Sequence, residues 1–299
     1  MLDLSIVIVN YNTRDLLRDC LRSLFASEGD FTYQVTVVDN HSRDGSAAIV
    51  RREFPQVHLL ENPENVGYAQ ANNQGLKSRR GRYYLLLNPD TMLPPEALSG
   101  MLSFMEEHPQ VGIAGPKLMM ADGSLDLACR RGFPTPEVSF YRLSGLSRLF
   151  PKSKRFGRYN LTYLDPDQVA EVDSVVGAFM MIRGETLEEI GYLDEEFFLY
   201  GEDLDFAYRA KKGGWKVYYN PQVKVLHYKR RSSSQNRKRA RYEFYRAMHL
   251  FYRKHYAKTT PLWLHWLVVA GILLRGGTAM LPEVLRPSGD SKQVREAAP

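Results

Sequence analysis

The chain has 299 residues, 44% of them hydrophobic, and carries a formal net charge of +6. That length and apolar content suit one large α/β domain or two small ones with a sizeable core, and exclude disorder over the first two thirds of the chain. The charge is uneven: Lys229–Lys258 holds eleven Lys and Arg against the single acid Glu243, and acids outnumber bases elsewhere. Basicity confined to the C-terminal third points to an anionic surface met there. Cys20 and Cys129 have no metal or redox spacing, so a reducing compartment is expected. Leu4–Val9 follows the first residues without a basic n-region or cleavage site, so no secretory leader is expected.

Leu4–Val9 is a nearly continuous β-branched run, as in a strand buried on both faces of a parallel sheet. Asn10-Tyr11-Asn12-Thr13 ends it, with Asn12 or Thr13 able to cap a helix whose apolar stripe runs from Leu16 to Phe25. Val35–Val38 predicts a second strand ending at Asp39, and Asp44-Gly45 a helix through Val50. Val57–Leu60 predicts a third strand ending at Glu61-Asn62, Gly67–Ser78 a helix, and Tyr83–Leu87 a fourth strand ending at Asn88-Pro89-Asp90. This alternation predicts an open, mostly parallel α/β sheet flanked by helices, whose ligand crevice lies outside the carboxyl ends of the strands. Asn10, Asp39, Asn62 and Asp90 all fall on that edge, where one polar residue would be only a turn former.

Further along, Glu96–Glu107 predicts a helix, Val111–Leu118 a strand, and Asp122-Gly123 a hairpin turn. Residues 130–170 are expected to form a long loop with short helical pieces, of the kind that serves as a lid or binding loop. Val172–Ile182 predicts a strand broken at Gly177-Ala178, Gly184–Ile190 a short helix, and Trp215–Tyr219 and Val223–Leu226 two short strands. Trp215 is read as core in preference to a ligand-stacking residue.

Chemistry is concentrated in Tyr200–Arg209. Glu202 and Asp203 stand side by side at a predicted helix start, behind the apolar run Phe197-Phe198-Leu199-Tyr200. Partial desolvation raises a carboxylate's proton affinity and suits it to act as a base. Acids in a first helical turn also simply complement the helix dipole. Asp205 and Arg209 have the spacing of an ordinary helix-surface pair. Asn88-Pro89-Asp90 offers hard oxygen ligands for Mg²⁺ or Mn²⁺, though it is equally a turn sequence, and a lone His227 at a strand end is ambiguous. Asn10–Leu16 contains no glycine and no Walker A sequence occurs, which excludes ordinary dinucleotide and P-loop sites.

In order, the chain carries Ile-Val-Asn-Tyr-Asn (8–12), Val-Val-Asp-Asn (37–40), Asn65-x-Gly67-Tyr-Ala-x-Ala-x-Asn73, Leu-Leu-Asn-Pro-Asp (86–90), Gly-Ala-Phe-Met (177–180), Gly-Glu-Asp-x-Asp (201–205) and His227. Over about residues 3–228 this set resembles the family 2 glycosyltransferases of GT-A fold, particularly their bacterial rhamnosyltransferase-like branch. The resemblance implies inverting transfer from a nucleotide-diphosphate sugar, UDP- or dTDP-linked, to an acceptor hydroxyl. It implies that Asp39 binds the nucleoside, with Asn10, Tyr11 and Asn12 flanking the base and Asn65 and Gly67 nearby. Asp90 matches the last acid of the family's Asp-x-Asp motif, whose first acid is Asn88 here, and with His227 would hold the metal. Asp203 matches the catalytic base; Glu202 beside it is expected to be a helper that orients the acceptor or the loop. Gly177, Ala178, Phe179 and Tyr200 would line the acceptor side.

Outside that resemblance, Arg237–Tyr256 predicts a helix with aromatics among its cations, and Leu262–Leu274 an apolar helix of about 20 Å, short of a ~30 Å hydrocarbon core. Trp263 and Trp266 suit interface depth. The expectation is a catalytic domain (1–228), a helical extension (229–285) lying on the cytoplasmic face of the membrane with its cations toward anionic headgroups, and a disordered tail (286–299). This favours a lipid surface over nucleic acid; a packed helix or a dimer contact is the alternative. A membrane-surface enzyme suits a glycan or polyprenyl-linked acceptor in cell-envelope polysaccharide assembly. Two other functions stay open at this point: a catalytically silent nucleotide-sugar-binding protein and a nucleotidyltransferase.

Overall fold

The computed structural model describes residues 2–228 and 237–285. The expectations for 229–236, part of the basic block, and for a disordered tail at 286–299 lie outside the described residues. The chain opens with β1 (Leu2–Asn10), α1 (Arg14–Phe25), β2 (Tyr33–Asp39), α2 (Ser46–Glu53), β3 (His58–Glu61), α3 (Tyr68–Ser78) and β4 (Gly81–Leu87). β5 (Thr91–Met92), α4 (Ala97–Glu107) and β6 (Val111–Met119) follow, then α5 (Pro136–Leu143), α6 (Leu146–Leu149) and β7 (Ala170–Glu171). β8 (Phe179–Arg183), α7 (Gly184–Ile190), α8 (Glu202–Lys212) and β9 (Lys216–His227) complete the sheet region. α9 (Arg237–His255), α10 (Leu262–Gly276) and α11 (Leu281–Leu285) come last.

One sheet runs in the order β3-β2-β1-β4-β8-β6-β9-β5, with β7 on β9. Its first four strands are parallel, as helical crossovers require, and the β-branched run of β1 is buried throughout from Leu4 to Asn10. Strand order reverses at β1, with β2 on one side and β4 on the other, which opens a crevice at the carboxyl ends of β1 and β4. Beyond β4 the sheet is mixed: β8 is antiparallel to β4 and β6, while β9 is parallel to β6. Because β8 runs backwards, its start, not its end, reaches the crevice, and Gly177-Ala178 arrives beside Asn88.

Several elements differ from expectation. The Val172–Ile182 run becomes a strand only from Phe179. The two strands around Pro221 are one, β9, which absorbs the Asn-Pro as a register shift opposite Pro116/Lys117. Neither Asn12 nor Thr13 caps α1; Thr13 is the N-cap residue, and its hydroxyl donates to Asn10 Oδ1 at 2.6 Å instead. The 130–170 segment does contain short helices in a long loop. Trp215 packs at the edge of the core and donates to Glu189.

The sheet region and the C-terminal helices are in contact. Ala247, Leu250 and Phe251 of α9 bury themselves against Phe197 and Leu204, next to the start of α8. Lys254 pairs with Asp194, His255 Nε2 lies 2.8 Å from Asp205 Oδ1, and Arg246 donates to the Glu196 carbonyl. The expectation that the cations of this helix face headgroups is therefore corrected for these residues, whose charges meet internal partners; Arg237, Lys238 and Arg241 are exposed. Asp205 is likewise no surface residue. It is wholly buried and shared between Arg209 and His255.

Candidate active site

At the ends of β1 and β2, Asn10 and Asp39 are register partners, so both side chains reach one point. Asn10 Nδ2 donates to Asp39 Oδ1 and to Ser42 Oγ, both at 3.0 Å, and the Ser42 N–H donates to Asp39 Oδ2 at 2.9 Å. Asn12 sits in the left-handed region at φ 52° and accepts from Arg43 N–H, which curls the Tyr11–Thr13 turn over this cluster. Asn40 braces the neighbouring loop: its amide donates to Asn65 Oδ1, and its Oδ1 accepts from Val66 N–H. Gly67 has φ +92°, and a Cβ there would fall 2.7 Å from the Phe198 ring. Glycine is needed for this close approach between the two loops.

A chain of hydrogen bonds crosses the crevice. The Tyr68 hydroxyl is shared between Asn88 Oδ1 at 2.8 Å and the Gly177 carbonyl at 3.1 Å, and the Gly177 N–H donates to Asp203 Oδ2 at 3.2 Å. Asn88, Tyr68, Gly177 and Asp203 are thereby held as a unit. Burial raises the Tyr68 phenol's pKa, reinforced by the charges of Glu202, Asp203 and Asp90, so it remains a donor.

Glu202 and Asp203 begin α8 behind two successive residues of positive φ, Tyr200 at 68° and Gly201 at 84°. A left-handed Tyr is costly, and such strain persists only where the surroundings enforce it. Both carboxylates are buried. Asp203 Oδ2 receives Arg131 at 2.7 Å in a buried ion pair, while Oδ1 takes one bond, from Leu204 N–H. Glu202 is the opposite case: its Oε2 is buried without a hydrogen-bond partner. Burial, and then the neighbouring Asp203 charge, push its pKa up to about 8.

Across the site, Asp90 and His227 approach through the β5–β9 pairing, in which Thr91 is the partner of His227, and through Tyr228 N–H donating to the Asp90 carbonyl. His227 Nε2 lies 3.4 Å from Asp90 Oδ1, and its Nδ1 lies 3.0 Å from Asp126 Oδ2. Burial opposes a charged imidazole, but bonds to Asp126 and Asp90 outweigh it and push the pKa up to about 9. Held by Asp126 through Nδ1, the ring directs Nε2 at Asp90, which is how a carboxylate orients a metal-ligating histidine. Adjacent ligands of an octahedral ion at about 2.1 Å stand about 3.0 Å apart, so these two groups would close by a few tenths of an ångström to share one ion. Among the described residues no group of three or more His, Cys, Asp or Glu converges as a closed cage, so two protein donors would leave positions for a diphosphate and water.

The residues expected on the acceptor side divide. Gly177 faces Asp203, whereas Phe179 is buried in β8 opposite Leu87 and Ala178 is buried beside it, its carbonyl taken by Asn88 N–H. Their expected place at the acceptor gives way to a core role. Tyr200 turns toward Phe244 of α9 at 6.1 Å between ring centres. Asp126, Arg131 and Ser42 carry no spacing signal in the sequence, whereas Tyr68 lies inside the Asn65–Asn73 motif.

The fold and this edge of polar strand ends define a glycosyltransferase of GT-A fold. The chain matches the model of Glycosyl transferase family 2 over residues 5–127 and that of Glycosyl transferase family group 2 over residues 83–286, and it belongs to the family 2 glycosyltransferases. It is 27% identical over 246 residues, 78% of each chain, to the N-acetylglucosaminyl-diphospho-decaprenol L-rhamnosyltransferase of Mycobacterium tuberculosis. To a low-salt glycan biosynthesis hexosyltransferase of Haloferax volcanii it is 28% identical over 231 residues, 75% of this chain and 67% of that one. In fold it is similar to a mannosyltransferase from Pyrobaculum calidifontis in complex with GDP-Man and Mn²⁺, with TM-score 0.57 and 17% identity over 95% of this chain and 75% of that one.

Proposed function

We propose that the protein transfers a sugar, with inversion, from a nucleotide-diphosphate donor to a hydroxyl of a lipid-linked saccharide in cell-envelope glycan synthesis. The observation that carries this reading is the bonded unit Asn88–Tyr68–Gly177–Asp203, which ties the carboxylates of α8 to the strand edge bearing Asp39 and Asp90. Asp39, braced by Asn10 and Ser42, presents a fixed carboxylate edge for the N–H of a uracil or thymine ring. Asn12, Asn65 and Gly67 shape the same end of the crevice.

Asp203 is the base. It takes the proton of the acceptor hydroxyl as that oxygen bonds to C1 and the C1–O bond to the nucleoside diphosphate breaks. Arg131 fixes its orientation, and Oδ1 retains a lone pair for the hydroxyl. Glu202, whose affinity for a proton is raised, donates a hydrogen bond to the acceptor. One observation favours the reverse assignment, Glu202 as base: its Oε2 has no partner to displace. Asp90 and His227 would hold a divalent cation, which when bound offsets the charge gathering on the leaving diphosphate.

Two similar proteins support the finer reading. The mycobacterial relative is named for a rhamnosyl donor and a diphospho-decaprenol acceptor, and the mannosyltransferase was solved with a nucleotide sugar and Mn²⁺. No helix among the described residues is long and apolar enough to cross a membrane. α10, with Trp263, Trp266, Leu267 and Leu274 exposed along one stripe, would lie on the lipid surface as a peripheral contact. The test is release of nucleoside diphosphate from a panel of UDP-, dTDP- and GDP-sugars, with Mn²⁺ or Mg²⁺ and a polyprenyl-diphosphate-linked saccharide. Acceptor-dependent release with an inverted anomeric centre is expected. Release from a nucleoside triphosphate instead, or from no donor, would overturn the reading.

A further inference from the structure

We propose that the α5–α6 segment is a second lipid-contact surface, joined to α10 and binding anionic bilayers through a cationic, apolar loop. This extends the peripheral-membrane reading above, but it stands on separate residues. Between Val138 and Leu164 the sequence has no Asp or Glu, while it carries Arg142, Arg148, Lys152, Lys154, Arg155 and Arg158. Arg148, Lys152 and Lys154 are exposed. Among them stand large apolar side chains facing water: Phe140 is 61% exposed, Leu149 70% and Phe150 48%. A folded chain rarely leaves such groups uncovered beside one another unless something covers them.

What covers them is argued from charge and from position. Glu137, in the first turn of α5, pairs with Arg155, but Arg148, Lys152 and Lys154 stand exposed among the apolar residues and match an anionic headgroup layer, where the aliphatic and aromatic groups enter the acyl boundary and the cations meet phosphates. The segment is also continuous with α10: Arg275, the last cation of that helix, donates to the Leu143 carbonyl at the end of α5 at 3.0 Å. Leu274, 85% exposed, sits directly before that contact. Two apolar surfaces are thus fastened to each other at Arg275. Arg131, the partner of Asp203, begins the loop that leads from the crevice into α5, so lipid contact here would bring a membrane-borne acceptor to the side of the site that holds the carboxylates.

The test uses the full chain and sedimentation with vesicles of phosphatidylcholine with or without phosphatidylglycerol. Leu149→Ser/Phe150→Ser is expected to weaken binding to the anionic vesicles by about tenfold, the loss of two partly buried apolar side chains. Arg148→Gln/Lys152→Gln/Lys154→Gln is expected to weaken it and to flatten its salt dependence. Trp263→Ser/Trp266→Ser separates the two readings. If it abolishes binding while both loop variants bind as wild type, the α10 contact stands and this proposal falls. If the loop variants lose binding and the Trp variant does not, the loop is the contact and the α10 reading falls. Unchanged vesicle binding, with loop variants converting a dimer to a monomer in light scattering, would make this face an interface between copies and overturn the proposal.

Discussion

Arg131 approaches Asp203 to 2.7 Å inside the protein, with under a tenth of either side chain exposed. The pair links the long loop after β6 to the first turn of α8, and it arises from residues 72 positions apart. Its guanidinium also donates to the Val175 carbonyl, so one cation sets both the carboxylate and the chain entering Gly177.

Removing one partner of a buried pair leaves the other charge uncompensated. Arg131→Met should therefore destabilise the fold by about 3–5 kcal/mol. Arg131→Met/Asp203→Asn should lose less than the sum of the single changes, because the second removes the stranded charge. Chemical denaturation of the four proteins measures this. Additive losses would show that the pair is not coupled.

Glu202 yields a pH prediction whose sign is fixed by its surroundings. Its folded pKa is raised from 4.5 to about 8, with Asp203, Arg131 and Tyr68 as the charged and titratable groups around it. Below 4.5 both folded and unfolded chains hold this proton; between 4.5 and about 8 only the folded chain does. This group's contribution to stability is thus complete at low pH and is lost as pH rises through that window. Its size is on the order of a few kcal/mol. Glu202→Gln should remove that slope from denaturation measured between these limits. A variant with the wild-type slope would mean that Glu202 titrates normally.

Asp126 holds His227 through Nδ1, leaving Nε2 to face Asp90. Asp126→Ala should weaken Mn²⁺ binding, measured calorimetrically with a nucleoside diphosphate present, by about 10–100-fold. The native fold should be retained, as checked by circular dichroism. Unaltered Mn²⁺ affinity would remove the Asp90–His227 pair from consideration as a cation site.

How much of this could be read from the sequence depended on whether a signal was local. The runs of β1, β2 and β4 were legible because strands buried on both faces must be apolar without interruption. Asn10, Asp39 and Asp90 were legible as strand ends on one edge. β9 was not, because an Asn-Pro inside a strand imitates a turn until a partner strand absorbs it. Asp205 looked exposed because its spacing to Arg209 reveals a pair but says nothing of burial or of its second partner, His255, 50 positions later. Asp126 and Arg131 were hidden for the same reason: each is one charged residue in a loop, given meaning only by a partner from a distant strand or helix.

The assignment of the base is tested most directly by comparing Asp203→Asn with Glu202→Gln in acceptor-dependent turnover, with donor affinity measured alongside. Asp203→Asn should lower kcat by about 10²–10⁴-fold while the donor binds as before. Glu202→Gln, which keeps a hydrogen-bond donor, should retain most turnover. The reverse outcome, a turning-over Asp203→Asn and a silent Glu202→Gln, would contradict the assignment and make Glu202 the base.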